Sequence, residues 1–270
     1  PGGRRRGHGG HHPIAAPSPS HRKTGAEAPL PSAPFPIWTP EAGLRGTVIP
    51  PLPPSLSLEV LFMAFHPIDL KTWHRREYYL HFTNDVRCTY SLTTRLDITP
   101  LQGRRLYPAL LWLLTKTVNG LEPFRTAYTP ETGLGIYDHM HPSYTVFHKA
   151  SETFSCIWTP WQASYPAFLQ AYEADLAQYA QAACLSPKPG RPGNTFDVSM
   201  LPWTDFSGFN INVYDPGMYM LPIFTLGQRS CQDGKATIPL AIQIHHAVCD
   251  GYHIAQFLDR LNQAIAAFPG

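Results

Sequence analysis

The 270 residues predict a mixed α/β layer fold. Three observations carry this. Segments with apolar residues three to four apart recur along the chain, short alternating runs lie between them, and the strands dominate the second half. No glycine-rich phosphate loop of the form GxGxxG or GxxxxGK[ST] follows any strand, which argues against a doubly wound nucleotide-binding sheet.

Taken in order, residues 1–62 carry repeated Pro, Gly, Ser and His, as in GGRRRGHGGHH and VIPPLPPSLS, with no sustained period. Proline removes backbone donors and glycine raises the entropy lost on folding, so this stretch is expected to be a disordered Pro/Gly-rich extension. It reads either as a vector-derived or read-through extension or as a true linker or regulatory tail. Composition changes at Met63, where a domain over 63–270 is expected to begin. DLKTWHRREYYLHF spaces Leu70, Trp73, Tyr78 and Phe82 as one helix face, with Asp69 as its N-cap. CTYSLTTRLDI reads as a strand, and YPALLWLLTKTVNGL as a helix ending near Gly120. Short strands are expected over 125–128 and 134–137, and a hairpin over 144–157. YPAFLQAYEADLAQYAQAA repeats Phe168, Tyr172, Leu176 and Tyr179 at helical spacing, and SPKPGRPGN closes that helix. FDVSM, GFNINVY, LPIFTLGQ and ATIPLAIQIHH read as strands, and HIAQFLDRLNQAIAAF as the final helix.

Composition narrows the function classes. A formal charge of +2, from 21 basic and 19 acidic residues, provides no broad field for a polyanion, so nucleic acid is not the expected partner. The dense basic run Arg4, Arg5, Arg6 has no apolar periodicity around it and reads as a solvated tail. Cys88, Cys156, Cys184, Cys231 and Cys249 form no CxxC spacing and no small-domain framework, which suits reduced thiols in a cytoplasmic protein. No apolar run is long enough for a membrane span or has the form of a secretory signal.

The stretch most suggestive of chemistry is IQIHHAVCDGYH, residues 242–253. Adjacent histidines on an extended chain point to opposite faces, so one can enter a pocket while the other packs on the reverse side. A neutral imidazole with one ring nitrogen held is matched to taking a proton near pH 7, and His246 could be such a base. Asp250, four residues on, admits three readings. It could orient His246 in a triad, although no GxSxG elbow provides a nucleophile. It could join His245 or His246 and His253 around a metal. Or it could be structural, a carboxylate in a tight turn caught by an arginine elsewhere.

QIHHAVCDGYH carries the HHxxxDG signature of CoA-dependent acyltransferases. With WHRREYY (73–79), CTYSLTTRLDIT (88–99), YTVFHKASETFS (144–155), SMLPWTDFSGFNINV (199–213) and LPIFTLGQ (221–228), the chain resembles the classical trimeric chloramphenicol acetyltransferases over nearly all of 66–268. The resemblance implies a two-layer sandwich of mixed β-sheet and helices. It implies transfer of acetyl from acetyl-CoA, a co-substrate rather than a bound cofactor, to a hydroxyl of chloramphenicol, in a homotrimer whose sites lie between subunits. By the same resemblance His246 is the general base, Asp250 pairs with Arg75, Ser199 donates to the oxyanion and Thr225 holds an ordered water. Phe82, Cys88, Tyr90, Phe154, Ile211, Val213 and Ile223 fall at acceptor-pocket positions. Asp197 stands where better known members have asparagine, Cys156 replaces a small residue, and 186–193 does not align. A dihydrolipoamide acyltransferase-like domain and a catalytically lapsed binding module are the alternatives. The former class usually has HR where this chain has His245-His246.

Overall fold

A computed structural model describes residues 65–182, 184–213 and 218–268. The expected extension over 1–62 lies outside the described residues. Among the described residues there are ten strands and four α-helices. β1 (Phe65–Pro67) and α1 (Arg76–Leu80) lead into β2 (Thr89–Asp97) and α2 (Leu106–Asn119). β3 (Thr126–Thr129), β4 (Gly133–Tyr137), β5 (His141–His148) and β6 (Thr153–Trp158) precede α3 (Tyr165–Tyr179). β7 (Thr195–Met200), β8 (Ile223–Leu226), β9 (Ser230–Gln232), β10 (Lys235–His245) and α4 (Gly251–Ala266) complete the order.

The main sheet runs β2-β10-β8-β7-β5-β6, with β9 paired to β10. β7 is parallel to both β5 and β8, and the other pairs are antiparallel, so the sheet is mixed. Register decides its two faces. One cross-strand row reads Leu92, Ile242, Phe224, Val198, Tyr144, Ile157, apolar or aromatic across all six strands. Helices cover this row. Phe257 of α4 stacks on Phe224 at 5.3 Å, and Tyr172 of α3 meets Tyr144 at the same spacing. Each such fully buried large side chain contributes about 1.5–3 kcal/mol. The adjacent row, one residue along every strand and therefore on the other face, reads Ser91, Gln243, Ile223, Asp197, Ser143, Trp158. This polar face carries part of the candidate site.

The helices follow their sequence patterns. α2 is apolar almost all round, and ten of its residues are buried. α4 buries only Ile254, Phe257, Leu261 and Ile265, a single stripe at three- and four-residue spacing. α3 buries Phe168 and Tyr172 as expected, but also Asp175, which Lys188 reaches at 2.6 Å and the Thr159 hydroxyl at 2.7 Å.

Two expectations are corrected. The stretch from Asp69 forms turns before a short helix at Arg76, and Asp69 accepts from Lys71 N at 2.9 Å to close a turn rather than to cap a helix. The described part of GFNINVY, 208–213, is not a strand. Its alternation separates two environments, but Phe209 N donates to the Thr93 hydroxyl at 3.2 Å instead of joining a ladder. β1 and β9, each three residues long, were too short for a period to reveal.

Candidate active site

β10 ends at His245 and the chain turns before α4, so the histidine pair spans a strand end. His245 lies opposite Thr89 and is buried, with Nδ1 accepting from Ala247 N at 3.2 Å. His246 goes the other way. Its N–H donates to the Cys88 carbonyl at 2.9 Å, its ring stacks on Phe82 at 4.1 Å and 14°, and Tyr90 meets it edge-on at 5.1 Å. Nδ1 lies 3.3 Å from the Cys249 carbonyl. A carbonyl can only accept, so this contact assigns the proton to Nδ1 and leaves the Nε2 lone pair free to take another.

Asp250 is the N-cap of α4. One carboxylate oxygen accepts from Tyr252 N at 3.1 Å, and Asp250 N donates back to His253 Nδ1 at 3.1 Å, a reciprocal capping box. The other oxygen accepts from Arg75 Nη1 at 2.9 Å across 175 residues of sequence. Asp250 therefore faces Arg75 and the helix end, and among the described residues its carboxylate makes no hydrogen bond to the His246 ring. Burial pushes its carboxyl up, but the Arg75 hydrogen bond and charge outweigh that and leave it below the usual carboxylate value. His253 Nδ1 lies 3.1 Å from Asp250 N and 3.0 Å from an Asp250 carboxylate oxygen, and burial lowers that imidazole against the opposing pull of Asp250. Burial, reinforced by Asp250, raises the Cys249 thiol well above its ordinary value, so the cysteine inside the motif is no thiolate nucleophile. Burial likewise raises the Tyr90 hydroxyl. Among the described residues no group of three or more His, Cys, Asp or Glu is placed to hold a metal ion, and no helix is long and apolar enough to cross a membrane.

The remaining site residues gather elsewhere. Ser199 on β7 pairs in register with Thr225 on β8, which is buried. Phe154, Ile211, Ile223 and Ser199 line a cavity of about 270 Å³ together with Cys156, Asp197 and Arg191. Val213 continues the same segment and is exposed. A second cavity of about 300 Å³, walled by Tyr107, Phe147, Met200, Leu201, Pro202 and Trp203, shares Thr145, Phe154 and Ser199 with the first. Ser199 thus stands where two cavities meet.

Register also measures the gap between the two groups. Thr225 lies opposite Ala241, four residues before the end of β10 at His245. At ~3.3 Å per residue and ~4.8 Å per strand, Ser199 and the strand end are roughly 16 Å apart. One chain brings together Arg75, Phe82, Cys88, Tyr90, His246 and Asp250, and separately Phe154, Ser199, Ile211, Ile223 and Thr225. It does not join the two groups.

Arg191, Tyr219 and Trp203 were not foreseen as site residues. Arg191 sits in a Pro/Gly stretch with no period, and only the tertiary path of that loop delivers it to the cavity.

Comparison with known proteins shows the family. A sequence model of the chloramphenicol acetyltransferase family matches residues 63–262. A chloramphenicol acetyltransferase of Campylobacter coli is 48% identical over 205 residues, covering 75% of this chain and 99% of that protein. One from Clostridium perfringens is 45% identical over 207 residues, covering 74% and 94%. Among solved structures, a chloramphenicol acetyltransferase superposes with a TM-score of 0.63 at 19% identity, covering 75% of this chain and all of that one. A dihydrolipoamide acetyltransferase of Azotobacter vinelandii shares the fold at a TM-score of 0.53 and 21% identity, covering 81% and 98%. With a family model matched over residues 63–262 and relatives 45–48% identical covered over nearly their whole length, the chain belongs to the chloramphenicol acetyltransferase family of acyltransferases.

Proposed function

We propose that the protein moves an acetyl group from acetyl-CoA to a hydroxyl of chloramphenicol and that His246 is the general base. The observation that carries this is the imidazole itself, with Nδ1 held by the Cys249 carbonyl, the ring held by Phe82 and Tyr90, and Nε2 left free. Nε2 takes the hydroxyl proton as the oxygen attacks the thioester carbonyl carbon. The oxyanion of the tetrahedral intermediate accepts from the Ser199 hydroxyl, and Thr225 holds an ordered water beside it; each bond strengthens as charge develops. Collapse breaks the carbon–sulfur bond, and the departing CoA sulfur takes the proton back from the imidazolium. No covalent enzyme intermediate is needed, in keeping with a Cys249 thiol held protonated by burial.

Two reactants must converge on one carbonyl, and the two cavities sharing Ser199 suit that need. The cavity with Phe154, Ile211 and Ile223 takes the acceptor, and the one walled by Phe147 and Trp203 takes the thioester arm. A separation of roughly 16 Å exceeds hydrogen-bond reach several-fold, so His246 of one subunit serves Ser199 and Thr225 of another. A homotrimer with its sites between subunits satisfies this with closed symmetry.

Thiol release from acetyl-CoA, measured with and without chloramphenicol, tests the reaction. Mixing tests the shared site. His246→Ala and Ser199→Ala subunits, each nearly inactive alone, should regain activity when dissociated and reassembled together. About a quarter of the interfaces would then pair an intact base with an intact serine. No recovery on mixing would place both groups in one chain's site and overturn the reading.

A further inference from the structure

The acceptor cavity contains a charge pair that the reaction does not use. Asp197 and Ser199 are two residues apart on β7, so both side chains leave the same face of the strand, about 7 Å apart. Ile223 lies directly opposite Asp197, and the cavity they line is otherwise largely apolar. Into it comes Arg191. Lys188, bound to the Trp158 carbonyl at 2.9 Å and to Asp175 at 2.6 Å, pins the loop that carries it.

The guanidinium is fixed in plane. Nε donates to the Thr195 hydroxyl at 2.8 Å and Nη2 to Asp197 Oδ1 at 2.8 Å. The second Asp197 oxygen accepts from the Tyr219 hydroxyl at 3.1 Å. Both carboxylate oxygens are therefore engaged, whereas no hydrogen bond from Arg191 Nη1 is made among the described residues. The pair offers a visitor donors rather than acceptors. The Asp197 end of the pair lies about 7 Å from Ser199 along the strand, close to the span of a para-substituted benzene ring.

We propose that Arg191 is a specificity-determining residue, whose Nη1 donates to an oxygen-bearing substituent, such as nitro, on the acceptor's aromatic ring at the end remote from the reacting hydroxyl. The inference rests on the acceptor reading of this cavity and goes beyond it by naming the recognised group and its donor. Arg191 touches no reacting atom, so its effect falls on acceptor KM rather than on the bond-making step.

The test compares kcat/KM of the assembled protein for two aryl acceptors that differ only in a para-nitro or para-hydrogen substituent. The unmodified protein should favour the nitro compound. In Arg191→Met that preference should fall about tenfold or more, the loss of one charge-assisted hydrogen bond, with the KM for acetyl-CoA unchanged. The double variant Arg191→Met/Asp197→Asn separates a missing donor from a stranded carboxylate and should show the same low preference. If Arg191→Met fails to assemble, Arg191→Lys, which keeps the charge but not the planar fork, should show an intermediate preference. An unchanged nitro preference in Arg191→Met, or its full return in the double variant, overturns the proposal. If the unmodified protein acetylates neither acceptor, the acceptor reading itself fails and this inference falls with it.

Discussion

Replacing Asp250 by Asn keeps the shape and removes the charge, and it separates a structural ion pair from a proton relay. Asparagine caps a helix about as well as aspartate, so the contact to Tyr252 N survives and what is lost is the bond to Arg75. The Arg75 side chain is only 9% exposed and the Asp250 side chain 32%. Breaking a buried pair by removing one partner costs about 3–5 kcal/mol. Partial hydration of the carboxylate places this pair at or just below the bottom of that range, about 2–3 kcal/mol. The burden falls on Arg75, whose Nε and Nη2 are buried with no hydrogen-bond partner among the described residues. For a domain of this size that loss lowers Tm by about 5–10 °C. Arg75→Met should cost a comparable amount, and the double variant should recover about 1–2 kcal/mol as coupling energy. Thermal and urea unfolding at one fixed protein concentration, with acetyl-transfer rates on the same samples, decides the matter. Additive destabilisation in the double variant, with only Asp250→Asn inactive, would refute the pair and revive the relay.

His246→Ala should lower acetyl transfer by ~10² to 10⁴ while leaving assembly intact, as steady-state rates and sedimentation would show; retention of more than a tenth of the rate would exclude it as the base. His141 is buried and accepts from Trp161 N at 2.8 Å, and burial, then the nearby His139 and Lys188, lower it to about 4. Its folded value lies below its unfolded one, so its stability contribution is complete above pH ~6.5 and is lost as pH falls through about 4, roughly 3 kcal/mol in all. His141→Asn, with an oxygen in place of Nδ1, should flatten the unfolding midpoint across that window. Lys188→Met leaves Asp175 buried against Thr159 without a cation and should cost about 3 kcal/mol in urea unfolding; a loss under 1 kcal/mol would mean the loop holds without the pair.

Much of the fold was legible from periodicity. The stripe of Ile254, Phe257, Leu261 and Ile265 announces α4 because a helix must turn the same face to its neighbour every three to four residues. Alternation announced β2, β7 and β10 for the equivalent reason in a pleated sheet. The same signal misread 208–213, since alternation reports two environments and cannot report whether a pairing strand lies alongside. The motif 242–253 pointed to a histidine base through residue type, the divergence of the two histidines followed from strand geometry, and the choice of His246 came from the family resemblance.

What sequence alone determined, then, is whatever depends on neighbours a few residues away: the helix stripes, the strand faces, and the placing of an imidazole where a strand ends. Only the tertiary structure decided the contacts that close over long separations. The Pro/Gly loop carries Arg191 to Asp197, and register holds Ser199 and Thr225 far from His246 along the same sheet; the Arg75–Asp250 contact across 175 residues was implied by the family resemblance but by no local pattern. The physical reason is that local pattern fixes which face of an element is apolar, whereas the meeting of two elements depends on how all the apolar faces are buried at once.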